Sequence, residues 1–180
     1  CRLAEMAAIL NFCSRVESVE GESPCVKMHT ENLAVARKYF TLLRKTFNIE
    51  MNVSTRQSRN PRGSLSYEVT SFGGLEPVKH MLVQNQCCRR AYIRGAFLAS
   101  GSLSDPEKGY HFEIVCSGEE KADELREMLA SFGIDAGITL RKRSYVLYVK
   151  EGSQIADLLN VMEAHVALMK FENVRILKEM

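Results

Sequence analysis

The sequence predicts an α+β fold built from two pseudo-symmetric αββαββα repeats with antiparallel strands. Three observations lead to it. The helix that opens each half has a similar composition, because residues 2–16 align with residues 89–103 at an offset of 87. The next helices end on matching text, "FNIE" and "FGID". Each half then contains a hairpin, at 51–69 and 137–149. Both return strands carry Ser-Tyr near their start, at 66–67 and 144–145.

The opening helices carry small residues at intervals of four. Ala91, Gly95 and Ala99 lie on one stripe of the second helix, and Ala4 and Ala8 occupy the matching stripe of the first. Small side chains allow two helix backbones to approach closely. We therefore expect these helices to pack side by side, which relates the halves by a pseudo-two-fold axis and joins their sheets into one concave, saddle-shaped surface.

A strand and then a second helix follow each opening helix. The runs at 25–29 and 110–115 alternate or are rich in β-formers, as is typical of strands. Helical spacing of apolar residues predicts helices at 31–47 and 118–132. Thr30 with Asn32 opens the first of these helices, and Ser117 with Glu120 three residues later forms a capping-box pattern at the second; both are helix-start signals.

The hairpins and the closing helices complete the repeats. Strong turn residues occupy 60–63 in the first hairpin, and a shorter turn at 142–144 serves the second. Closing helices are predicted at about 75–84 and 153–169, the latter with a break near 163–165. We place the boundary between the halves at residues 1–86 and 87–180, and expect one compact domain because no linker-like segment separates them.

The composition is typical of a soluble globular protein, but it does not indicate what the protein binds. The chain has 180 residues, is 46% hydrophobic and carries a net charge of +2, so any polyanion binding must depend on local basic patches. No apolar run of about eighteen residues predicts a membrane span, and the first residues do not resemble a signal peptide. We expect a cytoplasmic, monomeric protein.

The cysteines are expected to be reduced. The six cysteines contain no CxxC pair, the adjacent pair Cys87–Cys88 is poor ligand spacing, and the four histidines are scattered. We therefore predict neither a metal site nor a cofactor.

The segment 93–101, "IRGAFLASG", resembles the LAGLIDADG signature of homing endonucleases. Gly95, Ala99 and Gly101 match it by identity, and the family has the predicted αββαββα order. Longer stretches at 87–114, 164–176 and 30–43 resemble the WhiA family of bacterial regulators of transcription, sporulation and cell division. That resemblance implies a LAGLIDADG-like domain in this chain and a helix-turn-helix domain beyond residue 180.

The resemblance also identifies the positions where a nuclease would place its catalytic acids. LAGLIDADG enzymes use one carboxylate at the eighth motif position of each half to hold divalent metal ions. This chain has Cys13 and Ser100 at those positions, and neither supplies a carboxylate. Glu17, Asp105 and Glu113 are the nearby acids that could substitute. We predict that the protein has no nuclease activity and is not an enzyme.

Basic residues lie in and near both hairpins, which the resemblance places on the DNA-facing saddle. No acidic residue occurs in 51–67 or 136–150. Such side chains would neutralise phosphates without reading sequence. The candidate duplex-DNA contacts are Arg56, Arg59, Arg62, Arg141, Lys142, Arg143 and Lys27.

Three alternatives to an inactive domain that contacts DNA remain open at the level of sequence. The charged turns could serve solubility alone. The saddle could instead bind a protein, a small ligand or the attached helix-turn-helix domain, with the strand "SYVLYV" at 144–149 as a partner surface. An active endonuclease or maturase is the least favoured. On the DNA-binding reading the protein would be associated with the nucleoid.

Overall fold

The computed structural model of the protein describes residues 1–17, 25–47, 51–57, 65–72 and 83–180. Within these ranges, helices and strands follow one another in the same order in both halves, and the second half ends with two further helices. The elements are α1 (Arg2–Cys13), β1 (Ser14–Glu17), β2 (Cys25–Thr30), α2 (Leu33–Phe47), β3 (Met51–Gln57), β4 (Leu65–Phe72), α3 (Gln86–Ser100), β5 (Gly101–Leu103), β6 (Phe112–Cys116), α4 (Glu119–Ala130), β7 (Gly137–Arg141), β8 (Ser144–Val149), α5 (Gly152–Val161) and α6 (His165–Glu179).

The strands form two four-stranded antiparallel sheets with the same topology. The first has the order β1-β2-β4-β3 and the second the order β5-β6-β8-β7. The register repeats as well, because Arg56 lies opposite Ser66 in the first sheet and Arg141 lies opposite Ser144 in the second. The predicted α+β architecture of two matching repeats is therefore confirmed.

The first strand of each half follows its helix without a loop. Helix α1 ends at Cys13 and α3 at Ser100, and the next residue already pairs with a neighbouring strand. The aligned windows 2–16 and 89–103 thus run three residues into strands. Gly101 allows this transition for a steric reason, since a Cβ there would overlap the Phe97 ring and lie 2.6 Å from the Phe97 carbonyl oxygen.

Both predicted helix starts differ from the structure in detail, because Asn32 rather than Thr30 caps α2, and α4 begins after a glycine. Asn32 Oδ1 accepts a hydrogen bond from Ala34 N at 2.9 Å, which satisfies a free N–H at the start of α2. At α4 the residue before the helix is Gly118, which has no side chain to cap it. Ser117 Oγ instead accepts a hydrogen bond from Lys121 Nζ at 3.2 Å.

The end of the chain also differs from the prediction. The expected break is present, because α5 ends at Val161 and α6 begins at His165, with Glu163 in the left-handed region at φ 59°. Helix α6 continues to Glu179, about three turns beyond the predicted end. The helix predicted at 75–84 and the turn at 60–63 fall largely or wholly outside the described residues.

Helices α1 and α3 pack against each other at the centre of the fold, as predicted for the signature helices. A Cβ on Gly95 would overlap the Glu5 carbonyl oxygen and lie 2.8 Å from the Ala8 Cβ. Ala4, Ala8 and Ala91 are fully buried. The small residues on the two stripes therefore allow the backbones of α1 and α3 to come into contact.

Helix α1 contributes to the hydrophobic cores of both halves. Its larger side chains, Met6, Ile9 and Leu10, pack into the first-half core with α2 and the first sheet. Its small residues Ala4 and Ala8 belong to the second-half core with α3. Helix α1 therefore forms part of the hydrophobic core of both halves.

A buried cluster of charged residues links α1 to α3. Glu5 on α1 is 4% exposed and accepts hydrogen bonds from Arg94 Nε at 2.9 Å and Nη2 at 3.2 Å, while Lys38 Nζ on α2 lies 2.6 Å away. Arg94 Nη1 also reaches Glu163 Oε2 at 2.7 Å and the Met162 carbonyl at 3.2 Å. Burial acts to raise the pKa of Glu5, but the Arg94 and Lys38 hydrogen bonds and charges outweigh it and lower that pKa.

Among the described residues, no helix has both the length and the apolar character needed to cross a membrane.

Candidate nucleic-acid interface

Cys13 and Ser100, which the family resemblance places at the positions of the nuclease carboxylates, lie together at the C-terminal ends of α1 and α3. Cys13 Sγ donates a hydrogen bond to the Ala99 carbonyl oxygen at 3.0 Å, next to Ser100. Ser100 Oγ points back to its own helix and approaches the Ala96 carbonyl oxygen at 3.5 Å. Burial raises the pKa of the Cys13 thiol to about 11, so this group is a neutral thiol at physiological pH.

Two of the three acids that could replace the missing carboxylates have other partners. Asp105 Oδ1 accepts the Glu107 backbone N–H at 3.1 Å within a turn. Glu113 lies on β6 and is held by Ser102, His111 and Arg141. The Glu17 side chain lies outside the described part of the structure. In that described part, no group of three carboxylate, histidine or cysteine ligands lies at these helix ends.

Each sheet has one face against the helices and one open face, which we define as the side turned away from them. In β6 the residues Phe112, Ile114 and Cys116 are buried, so Glu113 and Val115 between them lie on the open face. By the strand register, Tyr148 and Arg141 share that face. In the first sheet, Lys27, Glu68 and Arg56 occupy it, because Met28 and Val69 are buried on the opposite side.

A groove of about 390 Å³ runs along the open face of the second sheet. Its lining residues are His111, Glu113, Thr139, Leu140, Arg141, Val146, Tyr148 and Lys150. The groove contains three basic side chains, one carboxylate and one aromatic ring. With His111 neutral, two cations and one carboxylate leave the groove weakly basic.

Glu113 organises the charges in this groove. Its carboxylate accepts hydrogen bonds from His111 Nε2 at 3.1 Å, Ser102 Oγ at 3.2 Å and Arg141 Nη1 at 3.2 Å. The His111 hydrogen bond is the main influence that lowers the pKa of Glu113, opposed by partial burial and aided by Ser102 and the Arg141 charge. Glu113 is therefore an anion that holds Arg141 close to the sheet.

Tyr148 presents an aromatic surface beside these charges. Lys150 Nζ lies 5.1 Å from the centre of the Tyr148 ring, within the range of a cation–π contact. The His111 ring stacks near the same tyrosine, with centroids 6.4 Å apart. Two basic groups thus flank one ring on the open face.

The predicted basic residues occupy three different settings. Arg141 pairs with Glu113, and Arg56 Nη2 lies 3.8 Å from Glu68 Oε1, but both arginines remain largely exposed, at 65% and 73%. Lys142 and Arg143 form the exposed two-residue turn between β7 and β8 and have no ion pair among the described residues. Lys27 is half-buried on the open face of β2. Arg59 and Arg62 lie outside the described residues.

The acids that accompany the arginines were not predicted. Glu68 lies in the first hairpin, one residue beyond the acid-free run 51–67, and Glu113 reaches Arg141 across the second sheet. The grouping of His111, Tyr148 and Lys150 in the groove was not predicted either. The period-two pattern of β6 and β8 could have placed Glu113 and Tyr148 on one face, but the pairing of those strands was not readable from either alone. In the proposed partner strand at 144–149, Leu147 and Val149 belong to the second-half core, whereas Val146 is buried but lines the groove on the open face.

Comparison with known proteins gives matches in both halves of the chain. Residues 89–180 match the WhiA LAGLIDADG-like domain family, and residues 1–79 match the WhiA N-terminal LAGLIDADG-like domain family. The chain is 51% identical to a probable cell division protein WhiA of Lachnoclostridium phytofermentans, with all of the chain and 64% of that protein aligned. It is 45% identical to the corresponding protein of Alkaliphilus oremlandii, covering all of the chain and 63% of that protein. The chain thus spans less than two thirds of the length of these relatives.

Solved structures resemble this fold over most of its length. A full-length DUF199/WhiA protein from Thermatoga maritima superposes with a TM-score of 0.83 at 20% identity, over all of the chain and 62% of that protein. The homing endonuclease I-DmoI, solved in complex with DNA and Mn, superposes with a TM-score of 0.65 at 13% identity, over 90% of the chain and 98% of that enzyme. These similarities establish a LAGLIDADG-type fold.

Proposed function

The chain belongs to the WhiA family, and from this premise we propose that it is the LAGLIDADG-like part of a DNA-binding transcription regulator that does not cut DNA. The relatives are named as probable cell division proteins, which supports a role in cell division and, by the family resemblance, in sporulation. The helix-turn-helix domain of such a regulator would follow this chain. The cell compartment we propose is the cytoplasm, at the nucleoid.

The observation that carries DNA contact is the matched placement of basic residues on the two open faces. Arg56 and Arg141 occupy equivalent register positions, and Lys142 and Arg143 extend the second hairpin beyond the sheet. The exposed ion pairs of the two arginines contribute little energy, so a phosphate can replace the carboxylate partner. I-DmoI, which has this fold, was solved with DNA. We propose phosphate contacts without base readout.

We expect DNA affinity to respond in opposite directions to changes at the hairpin tip and at Glu113. The double substitution Lys142→Ala with Arg143→Ala should weaken duplex binding and reduce the slope of log affinity against log salt by about 2, one for each lost phosphate contact. Glu113→Gln should strengthen binding, because it removes an anion from the groove and frees Arg141. Fluorescence anisotropy with a labelled duplex at several salt concentrations measures both effects.

The matched control for these variants is Arg37→Ala. Arg37 is exposed on α2, which packs on the helix side of the first sheet, so the substitution removes one positive charge from the opposite face. It should leave the salt slope unchanged. Equal effects of all the variants, or no binding at low salt, would contradict DNA contact by the open face and favour the protein- or ligand-binding alternative.

We also propose that the protein has no endonuclease activity, because its two catalytic positions hold a neutral thiol and a hydroxyl. Magnesium needs hard, anionic oxygen ligands at such a site. Purified protein should leave supercoiled plasmid intact in Mg²⁺ or Mn²⁺, as judged on agarose gels. Metal-dependent nicking that disappears in Glu17→Gln, Asp105→Asn or Glu113→Gln would contradict this, whereas nicking that persists in all three variants marks a contaminating enzyme.

The organisation of the chain is part of the same proposal. We propose two LAGLIDADG-like halves, 1–86 and 87–180, that fold as one compact monomeric unit. Their joint packing on α1 supports this, since that helix places side chains in both cores.

A further inference from the structure

Three cysteines meet at the N-terminal end of the central helix pair, at the opposite end of the helices from Cys13 and Ser100. Cys1 directly precedes α1, and Cys87 and Cys88 lie in the first turn of α3. The three Sγ atoms all lie within 4.8 Å of one another, and those of Cys87 and Cys88 are 4.0 Å apart. Cys1 and Cys87 are exposed, while Cys88 is half-buried against the second-half core.

The spacing of these sulfur atoms suits a tetrahedral metal ion. Zinc–thiolate bonds of about 2.3 Å in a tetrahedron place neighbouring sulfur atoms about 3.8 Å apart. The observed separations need only small side-chain movements to reach that value. The group contains no carboxylate, so it would select a soft, thiophilic ion over magnesium or calcium.

The group suits a metal ion better than it suits a disulfide. A disulfide can involve only two of the three cysteines. Cys87 and Cys88 are adjacent in sequence, with Cα atoms about 3.8 Å apart, which is shorter than disulfide geometry prefers, and pairing either of them with Cys1 leaves one thiol over.

We propose that Cys1, Cys87 and Cys88 form a binding site for one thiophilic divalent ion, Zn²⁺, with the fourth coordination position open to solvent. The site joins α1 to α3 and therefore the first half of the chain to the second. Sequence spacing concealed it, because one ligand is separated from the other two by more than eighty residues and the prediction considered only Cys87–Cys88. Ligation displaces one proton from each thiol, so affinity falls as the pH is lowered.

Titration of the reduced full chain with Co²⁺ under anaerobic conditions tests the site. We expect thiolate-to-cobalt charge-transfer absorption and the visible bands of tetrahedral Co²⁺, saturating at one ion per chain and abolished by Zn²⁺. Cys87→Ser and Cys88→Ser should each lower Co²⁺ affinity at least about tenfold, since losing a ligand costs no less than losing a group that orients one. Circular dichroism establishes that the variants are folded.

The matched control is Cys13→Ser, which changes a thiol at the other end of the helix pair and keeps a donor for the Ala99 carbonyl oxygen. It should bind Co²⁺ like the unaltered protein. The proposal is overturned if the reduced protein gives no thiolate–cobalt absorption, if Cys87→Ser and Cys88→Ser bind as tightly as Cys13→Ser, or if protein purified under reducing conditions holds these cysteines in a disulfide.

Discussion

Gly95→Ala is expected to lower the free energy of unfolding by about 3 kcal/mol, at the upper end of the usual cost of overpacking. The added methyl group would overlap the Glu5 carbonyl oxygen and lie 2.8 Å from the Ala8 Cβ. Both obstacles belong to the facing helix, one of them to its backbone, so neither can move without separating α1 from α3. Urea unfolding followed by circular dichroism measures the loss as a lower midpoint at an unchanged slope.

Gly118→Ala provides the matched control for this substitution. Gly118 lies in extended backbone at φ −150°, and a Cβ there meets no atom within 4 Å. Alanine at that position should change stability by no more than about 1 kcal/mol, because its weaker N-cap preference is partly offset by the reduced freedom of the unfolded chain. If Gly95→Ala proved as mild as Gly118→Ala, the close approach of the two helices would be wrong.

The repeat architecture could be predicted because short-range sequence patterns indicate it within each half. Small residues four apart, the "FNIE" and "FGID" helix ends and the Ser-Tyr strand starts are all short-range patterns. Loop lengths differ between the halves, but an offset that changes at loops still preserves the order of the elements. The helix pair followed from the same reasoning, since both halves carry the stripe of small residues.

The interactions between elements could not be predicted in the same way. Glu5 is the single acid in α1, and Arg94 lies 89 residues further along the chain. Glu113 reaches Arg141 only because β6 pairs with β8 and β8 with β7. Charge counts along the chain therefore overestimated how basic the open faces are. The alternation of residues along a strand predicts which face each residue occupies. Its neighbours on that face depend on how the strands pair in the sheet.

Arg94→Met is expected to destabilise the protein by about 3 kcal/mol, because removing one partner leaves the buried Glu5 carboxylate with Lys38 alone. The cost should depend on pH. The folded-state pKa of Glu5 is lowered from its usual 4.5, so its ionic contribution is fully present above that value and is lost as pH falls through the folded-state pKa. The stability difference between Arg94→Met and the unaltered protein should therefore be largest near neutral pH and shrink in acid.

A double-mutant cycle with Glu5→Gln separates this ion pair from simple loss of packing. When both charges are absent, no carboxylate remains buried without its arginine, so the double variant should be more stable than the sum of the two single losses predicts. Arg126→Met is the control, since the Asp123–Arg126 pair is half-exposed on one helix and should contribute at most about 0.5 kcal/mol. Strictly additive losses, or a pH-independent cost of Arg94→Met, would show that Arg94 stabilises the helix pair through its hydrocarbon stem and its bonds to the α5–α6 turn.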